Sequence, residues 1–479
     1  MKTFKYILGA VCISVASSAM AQNLNSAYFM DGYTYGYELN PAKDYERKGF
    51  VSMPILSNIN MSLSGNLDYT DIFYKLPNGK LATFMHPKIS ADEALKNFSS
   101  REKLAVDMRL DIINFGFHAW NGYNFFNLSM RSTTGFSAPY ELFEMAKTLA
   151  NKNYDIGKVC TQSTTWMEIG FGHSHQVTDA WRVGGTMKIL LGGARMNMKA
   201  NNLKMELAGP DKWILTSDAE MEVAAKGFTW GEDKYGNPIY NTDPYDNGEP
   251  REPGIIKLNK MDITKGGIGG VGLAFDFGAE WDLEKNDLVK GLKVSASLLD
   301  FGFINWSDIH KAKSVENSYE FDGFNNIKVK DGDGRTLGSQ FDDFTTGVSK
   351  LYNFQDKGTE SGARMLGATL NIGVNYKMPF YNKLDVGFLN TTRIQGAYSW
   401  NDTRLSANIH PVKWLEGGIN LGFGTLGASF GWIINIHTRG FSLFAGMDRI
   451  MSKLSKQYIP TKSSTNVSLG ISFPFGSRQ

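Results

Sequence analysis

Gly427-Ala428-Ser429-Phe430-Gly431 has the spacing of a nucleophile elbow, in which a serine on a strained strand-to-helix turn attacks an acyl carbon with help from a histidine. Here Ser429 alternates with the apolar residues Ala428, Phe430 and Trp432, which puts it mid-strand rather than on a turn. His437 shares its face but lies eight residues further along, roughly 26 Å away at strand rise. That separation argues against acyl transfer, and no catalytic residue is assigned. Gly267-Ile268-Gly269-Gly270-Val271-Gly272 matches the dinucleotide fingerprint, which needs a strand before it and a helix after it. A loop precedes it here and a strand follows, so its glycines are read as sites of close packing. His173 and His175 share a face and would chelate a metal only if a third ligand arrived; otherwise they are interfacial or luminal histidines. Asp331-Gly332-Asp333-Gly334, with Asp342 and Asp343 beyond, resembles part of a calcium loop but lacks its third acid and terminal Glu. Asp331 and Asp333 are therefore the one calcium candidate, and no resident metal or cofactor is expected. Cys160, the lone thiol outside the N-terminal leader, has no disulfide partner within the chain and only Lys158 as a nearby cation.

The elements around these residues are more informative. Val467-Ser468-Leu469-Gly470-Ile471-Ser472-Phe473-Pro474-Phe475 sets large apolar side chains on one face and small or polar ones on the other. Period-two alternation means that one face meets an apolar phase and the other a wetter one. Repeated behind an export signal, it predicts an all-β fold, a transmembrane antiparallel β-barrel of an outer membrane. The signal is residues 1–21: Lys2 and Lys5, an apolar stretch from Tyr6 to Val15, and Ala19-Met20-Ala21 as cleavage site. Cys12 lies within that stretch without a lipoprotein box before it.

Strands are expected at 50–64, 104–119, 123–135, 161–177, 181–199, 268–282, 291–304, 364–379, 383–395, 403–410, 415–424, 426–437, 440–448 and 464–475, fourteen in all. An even count returns both ends to one side, with short turns there (Asn121-Gly122, Thr178-Asp179, Asn382-Lys383, Pro411-Val412, Thr438-Arg439) and long loops opposite. The domain division is then a signal peptide at 1–21, a plug-like segment at 22–48 and a barrel at 49–479. External insertions fall at about 67–103, 136–160, 196–267, 305–363 and 449–463. Leu142, Met145, Ala146 and Leu149 recur at helical spacing and predict a helix over 139–152, while 196–226 reads as a hairpin projecting above the membrane. Charges inside strands cannot face hydrocarbon, where each costs roughly 2–4 kcal/mol at mid-depth. Asp107, Arg109, Asp111, Arg131, Glu168, Lys188, Asp276 and Glu280 are accordingly assigned to the lumen.

Charged residues at 20%, a net charge of +2 and a mean hydropathy of −0.27 fit a wall in which only alternate residues touch lipid, and argue against a nucleic-acid surface. A soluble β-sandwich would show the same alternation, but its outward faces would be richer in Lys and Glu.

Asn40-Pro41-Ala42, just before the first strand, resembles an element of the long-chain fatty-acid transporter family of outer-membrane proteins. Gly272-Leu273-Ala274-Phe275-Asp276-Phe277-Gly278 and Ser295–Trp306 are similar to a related group of uncharacterised Bacteroidota barrels with no established activity. The resemblance implies a fourteen-stranded barrel whose N-terminal segment plugs the lumen, with Asn40, Pro41 and Ala42 as the plug's fixed point. It also implies passage or binding of a small hydrophobic or amphipathic compound. The segment departs from the family by being short and rich in Tyr28, Tyr33, Tyr35 and Tyr37. Barrels of this fold also hold cargo for secretion, so a scaffold that binds a surface protein partner is the alternative; a barrel-embedded hydrolase ranks last. The expected partners are outer-membrane lipids, a small hydrophobic ligand and the barrel-assembly machinery during insertion, with no nucleic acid.

Overall fold

Strands with one apolar face and unpaired edges have a stable solution in a bilayer: a sheet that closes on itself and satisfies every backbone group. The computed structural model describes residues 24–477 apart from 53, 55–56, 67–68, 78, 80, 87, 149–151, 210–211, 232–239, 242–244, 247–248, 251–254, 257–260, 264, 284–288, 315–317, 322–353 and 450–464. The expected leader and the calcium candidate Asp331 and Asp333 lie outside the described residues. The main strands are β1 (Arg47–Ser52), β2 (Ile59–Gly65), β3 (Arg101–Ala119), β4 (Gly122–Pro139), β5 (Tyr154–Gln176), β6 (Trp181–Gly209), β7 (Lys212–Ala225), β8 (Gly270–Asp282) and β9 (Leu292–Ser314). They continue with β10 (Phe354–Met365), β11 (Ala368–Lys377), β12 (Leu384–Ile394), β13 (Trp400–Val412), β14 (Leu415–Gly424), β15 (Gly427–His437), β16 (Ser442–Met447) and β17 (Thr465–Ser477). β1 with β2, and β10 with β11, each fill one place in the ring, and β7 stands outside it, so the closed barrel has fourteen antiparallel strands. The first place pairs with the last through Arg47 on Ser477, Val51 on Phe473 and Ile59 on Leu469, which removes the free edge.

Alternation sorts side chains as the bilayer demands. Along β8, Val271, Leu273, Phe275, Phe277 and Trp281 are exposed on the outer face, while Ala274 and Asp276 are buried inside. From Val271 to Trp281, about ten residues at ~3.3 Å rise and ~40° tilt, the apolar band is roughly 25 Å tall, the height of a barrel's hydrocarbon belt. Aromatic residues mark its lower rim: Trp181 stacks on Trp281 at 5.3 Å, and Trp120 stands on the β3–β4 turn.

Proline moves two expected boundaries. The strand expected over 50–64 is split into β1 and β2 with Pro54 exposed between them, because proline has no N–H for the ladder. Pro411 and Val412 end β13 beside a register shift, and the turn falls on Lys413-Trp414 instead. The strand expected over 364–379 also breaks, at Leu366-Gly367, where β10 turns up along β9 and β11 continues the wall. β6 runs beyond the wall and returns as β7, from Leu207 on Trp213 to Ala194 on Ala225. Helix α1 (Tyr140–Thr148) packs half-buried Leu142 and Met145 against a cluster of Tyr154 from β5 with Leu203, Met205 and Trp213 of this hairpin. Its Phe143 and Ala146 pack on Phe84 and Phe98 of the segment between β2 and β3.

Candidate functional site

Residues 24–46 form no wall strand. Their one alternating run, Tyr33, Tyr35 and Tyr37, is short and broken by Gly36, and with Gly32 and Pro41 also among them they run inside the barrel through two short 3-10 turns, Asn25–Ala27 and Gly36–Glu38. Tyr28, Tyr33, Tyr35, Tyr37 and Tyr45 are all buried. Tyr37 stacks on Phe125 at 4.3 Å and Tyr33 meets Phe444 edge-on at 4.9 Å, while Tyr35 and Tyr45 both pack on Phe50. Each ring offers an apolar body and one polar handle, which suits a segment that must fill an aromatic slot within a polar wall.

Polar contacts tie this segment to strands on all sides of the ring. Asp448 accepts from the backbone N–H groups of Asn25 and Ser26 at 2.8 and 2.7 Å. Gly32 N donates to Glu416 Oε1 at 3.0 Å, Thr34 Oγ1 to Ser442 Oγ at 3.2 Å, and the Tyr35 hydroxyl to the Ile471 carbonyl at 3.0 Å. Across the barrel, Ser297 Oγ donates to the Leu39 carbonyl at 2.7 Å, and Arg182 and His118 grip Asp44 at 2.9 and 2.7 Å.

Asn40, Pro41 and Ala42 lie against the inner wall of β5, β6 and β8. Asn40 Oδ1 accepts from Ala42 N at 2.9 Å, Asn40 Nδ2 donates to the Ala279 carbonyl at 3.3 Å, and Ser174 Oγ donates to the Ala42 carbonyl at 2.8 Å. The close approach depends on two wall glycines: a Cβ on Gly184 would run into the Pro41 carbonyl, and one on Gly278 into the Asn40 amide.

Above the tyrosines lies a ring of buried charge. Arg109 pairs with Glu38 of the inner segment at 3.2 Å, with Asp111 at 2.8 Å and with Glu168 at 3.7 Å. Arg131 reaches Glu168 at 3.1 Å and forks onto both oxygens of Asp300 at 2.7 and 2.9 Å. Lys188 sits between Asp276 at 2.7 Å and Asp300 at 2.8 Å, with Arg393 3.4 Å from Asp300. Buried charges need such pairing, since an isolated ion would lose its solvation with no return. Asp107 sits higher in the barrel, accepting from Thr133, and Glu280 lies lower, in a cleft of about 440 Å³ at the mouth with the short turns. Glu38, Asp300 and Arg393 were not singled out from the sequence. Asp300 has φ 59°, and the β8–β9 register shifts between Phe275 and Phe277, so that Leu299 and Asp300 are both buried inside. The break in alternation at Leu298-Leu299-Asp300 was the available signal.

Deeper inside the barrel the gaps are small. Gaps beside Tyr37 and the charged ring, beside Tyr28, and beside Trp166 and Trp306 are each about 10 Å³, room for about one water. Ser429 and His437 stay at opposite ends of β15, with His437 against Glu416 and Ser429 near Arg404. Gly270 opens strand β8 directly, with no helix. His173 and His175 stack at 5.8 Å on the outer face, and among the described residues no three His, Cys, Asp or Glu side chains gather as a metal site.

At the end of the barrel away from the short turns, Arg195 and Arg364 both hold Glu222 of β7 at 2.9 Å, clamping the hairpin onto the wall. Burial pushes the Glu222 carboxyl up, but hydrogen bonds from Arg364 and the charge of Arg195 outweigh it and leave it below the ordinary glutamate value. A lowered carboxyl stabilises above its ordinary range, and that contribution is lost as pH falls through the lowered folded value. Amide protection over 212–225, corrected for the intrinsic exchange rate, should therefore fall as the pH drops below the ordinary glutamate range. Glu222→Gln should show lower protection already at neutral pH and lose most of that acid dependence.

The model of a family of unknown function, DUF5723, matches residues 41–448. No curated protein matches the chain. Among solved structures, the toluene transporter TbuX of Ralstonia pickettii aligns over 94% of this chain and 95% of its own at 8% identity and a TM-score of 0.38. A FadL homologue of Pseudomonas aeruginosa aligns over 95% and 98% at 10% identity and 0.36. The translocator domain of the autotransporter NalP from Neisseria meningitidis aligns over 95% and 99% at 8% identity and 0.33. At these values nothing about a cargo follows, since one barrel architecture serves many tasks.

Proposed function

The chain belongs to the family of unknown function DUF5723, whose description assigns no activity, and we propose that it is an outer-membrane barrel through which a small hydrophobic or amphipathic compound passes when an N-terminal plug shifts. One observation carries this reading: residues 24–46 pack inside the barrel through aromatic contacts and side-chain hydrogen bonds, without a strand ladder to the wall, and beyond the cleft at the short-turn mouth the gaps beside Tyr28 and Tyr37 are about 10 Å³ each. Such contacts can be broken and remade while the closed sheet stays intact. Displacing the plug would bare an aromatic slot of Phe50, Tyr123, Phe125 and Phe444 below the charged ring, a surface suited to an apolar body with a polar end. Asn40, Pro41 and Ala42 are the plug's fixed point in this scheme, because Pro41 stiffens the chain where two glycines let it touch the wall.

The Thr34–Ser442 contact offers a test, because hydroxyl oxygens 3.2 Å apart make this the pair across which an engineered disulfide would tie the segment to the wall. Proteoliposomes carrying Thr34→Cys/Ser442→Cys should take up a fluorescent amphipathic dye when reduced and stop when oxidised. Uptake that ignores the redox state would end the proposal. A scaffold is the second reading, favoured by the way α1 locks the external hairpin to the segment between β2 and β3 into one packed platform. A stoichiometric protein partner recovered from native membranes, and lost when the hairpin is trimmed, would favour it.

A further inference from the structure

The outer face of β5, β6 and β8 carries a notch of about 390 Å³ inside the lipid-facing belt. Gly185 forms its floor: a Cβ there would face open space, with the Asp276 carbonyl at 3.5 Å as its nearest neighbour. In the ladder Gly185 pairs with His173 on one side and Phe277 on the other, while Phe171, Met187 and Phe275 stand one step above. These apolar side chains are 38–53% exposed, so they frame the notch without closing it. The second observation is polar. His173 and His175 stack at 5.8 Å on the same outer face, beside and below the notch, and His173 Nδ1 is held by Asn124 Oδ1 at 2.8 Å. Trp181 and Trp281 close the lower rim two positions further on. Imidazoles on a lipid-facing wall are solvated by neither hydrocarbon nor bulk water and gain from a polar partner at that depth.

We propose that this notch is a binding site for one phospholipid of the leaflet on the short-turn side, an acyl chain lying over Gly185 and its head-group end against His175 and His173. The belt around the notch decides the occupant, because acyl chains are what cover this face. A chain seated over a glycine touches backbone and side walls together, and so makes more contact than one passing over the neighbouring Met and Phe. The site lies outside the barrel and does not depend on the transport reading.

Native mass spectrometry of the whole protein, delipidated in detergent and re-exposed to dipalmitoyl phosphatidylethanolamine, tests the site. Wild type should retain one adduct of phospholipid mass. Gly185→Leu, whose side chain has room to project outward, should retain about tenfold less, as expected when several methylene contacts are lost. His173→Phe/His175→Phe should also lose adduct while leaving the notch open. A gel shift on boiling checks that each variant remains a folded barrel. Equal retention by folded Gly185→Leu would overturn the assignment. So would a lipopolysaccharide-mass adduct in place of phospholipid, or a wild-type dimer that Gly185→Leu separates.

Discussion

Deleting residues 24–44 is expected to turn a closed barrel into a steadily conducting one. The deletion stops short of Arg47, where β1 begins its ladder with β17, so the pairing that closes the wall survives. What is lost is the packing of Tyr33, Tyr35 and Tyr37 on Phe50, Phe125 and Phe444, and with it the seal. A fourteen-stranded ring cleared of its filling is wide enough for water, and the polar inner face of Ser, Asn and charged residues would wet readily. Planar-bilayer recordings should show stable open steps for the deletion and a quiet baseline for the intact chain. Gly184→Leu should move the same way by a milder route, since its side chain would occupy the place of the Pro41 carbonyl, and overpacking of this kind costs about 1–3 kcal/mol. Gly417→Leu, where a Cβ has 3.6 Å of clearance, is the matched control. A deletion variant as silent as wild type would show that residues 24–44 seal nothing.

Replacing Asp300 with alanine should destabilise the barrel by about 3–5 kcal/mol, the usual consequence of removing one side of a buried ion pair. Arg131, Lys188 and Arg393 all converge on this carboxylate, and its loss would leave them to share the remaining acids. Asp276 already accepts from the Asp300 backbone as well as from Lys188, so it cannot take over the fork to Arg131. The measurement is the denaturant midpoint of refolding into lipid, at unchanged slope. Arg393→Met in the Asp300→Ala background should recover part of the loss, because Arg393 is ion-paired to Asp300, whereas Lys188 would still hold Asp276 at 2.7 Å. Two substitutions that merely add would show that the pair is uncoupled.

Much of this architecture was legible because lipid and water impose a local rule. Alternation at Val271, Leu273, Phe275 and Phe277 identifies a wall strand without any knowledge of its neighbours, and the same rule sends Asp107, Arg109, Asp111 and Asp276 to the other face. Each decision uses only residues two apart, so it survives any arrangement of loops. Boundaries were less secure where proline intervened, at Pro54 and Pro411, because a missing N–H shifts a ladder without erasing its pattern.

The interior was a different matter. That Arg131 should fork onto Asp300, 169 residues away, or that Glu38 should reach Arg109, depends on which strands come face to face when the ring closes. The left-handed bulge that brings Asp300 inward likewise belongs to the pairing of β8 with β9 rather than to either strand alone. Tyr33, Tyr35 and Tyr37 alternate as a short strand would, yet the chain turns at Gly36–Glu38, and only the shape of the finished lumen places their rings. Alternation along the chain thus determined the wall and its two faces, since that pattern is local. The filling of the wall was decided by tertiary structure, because contacts across a barrel exist only once the barrel has closed.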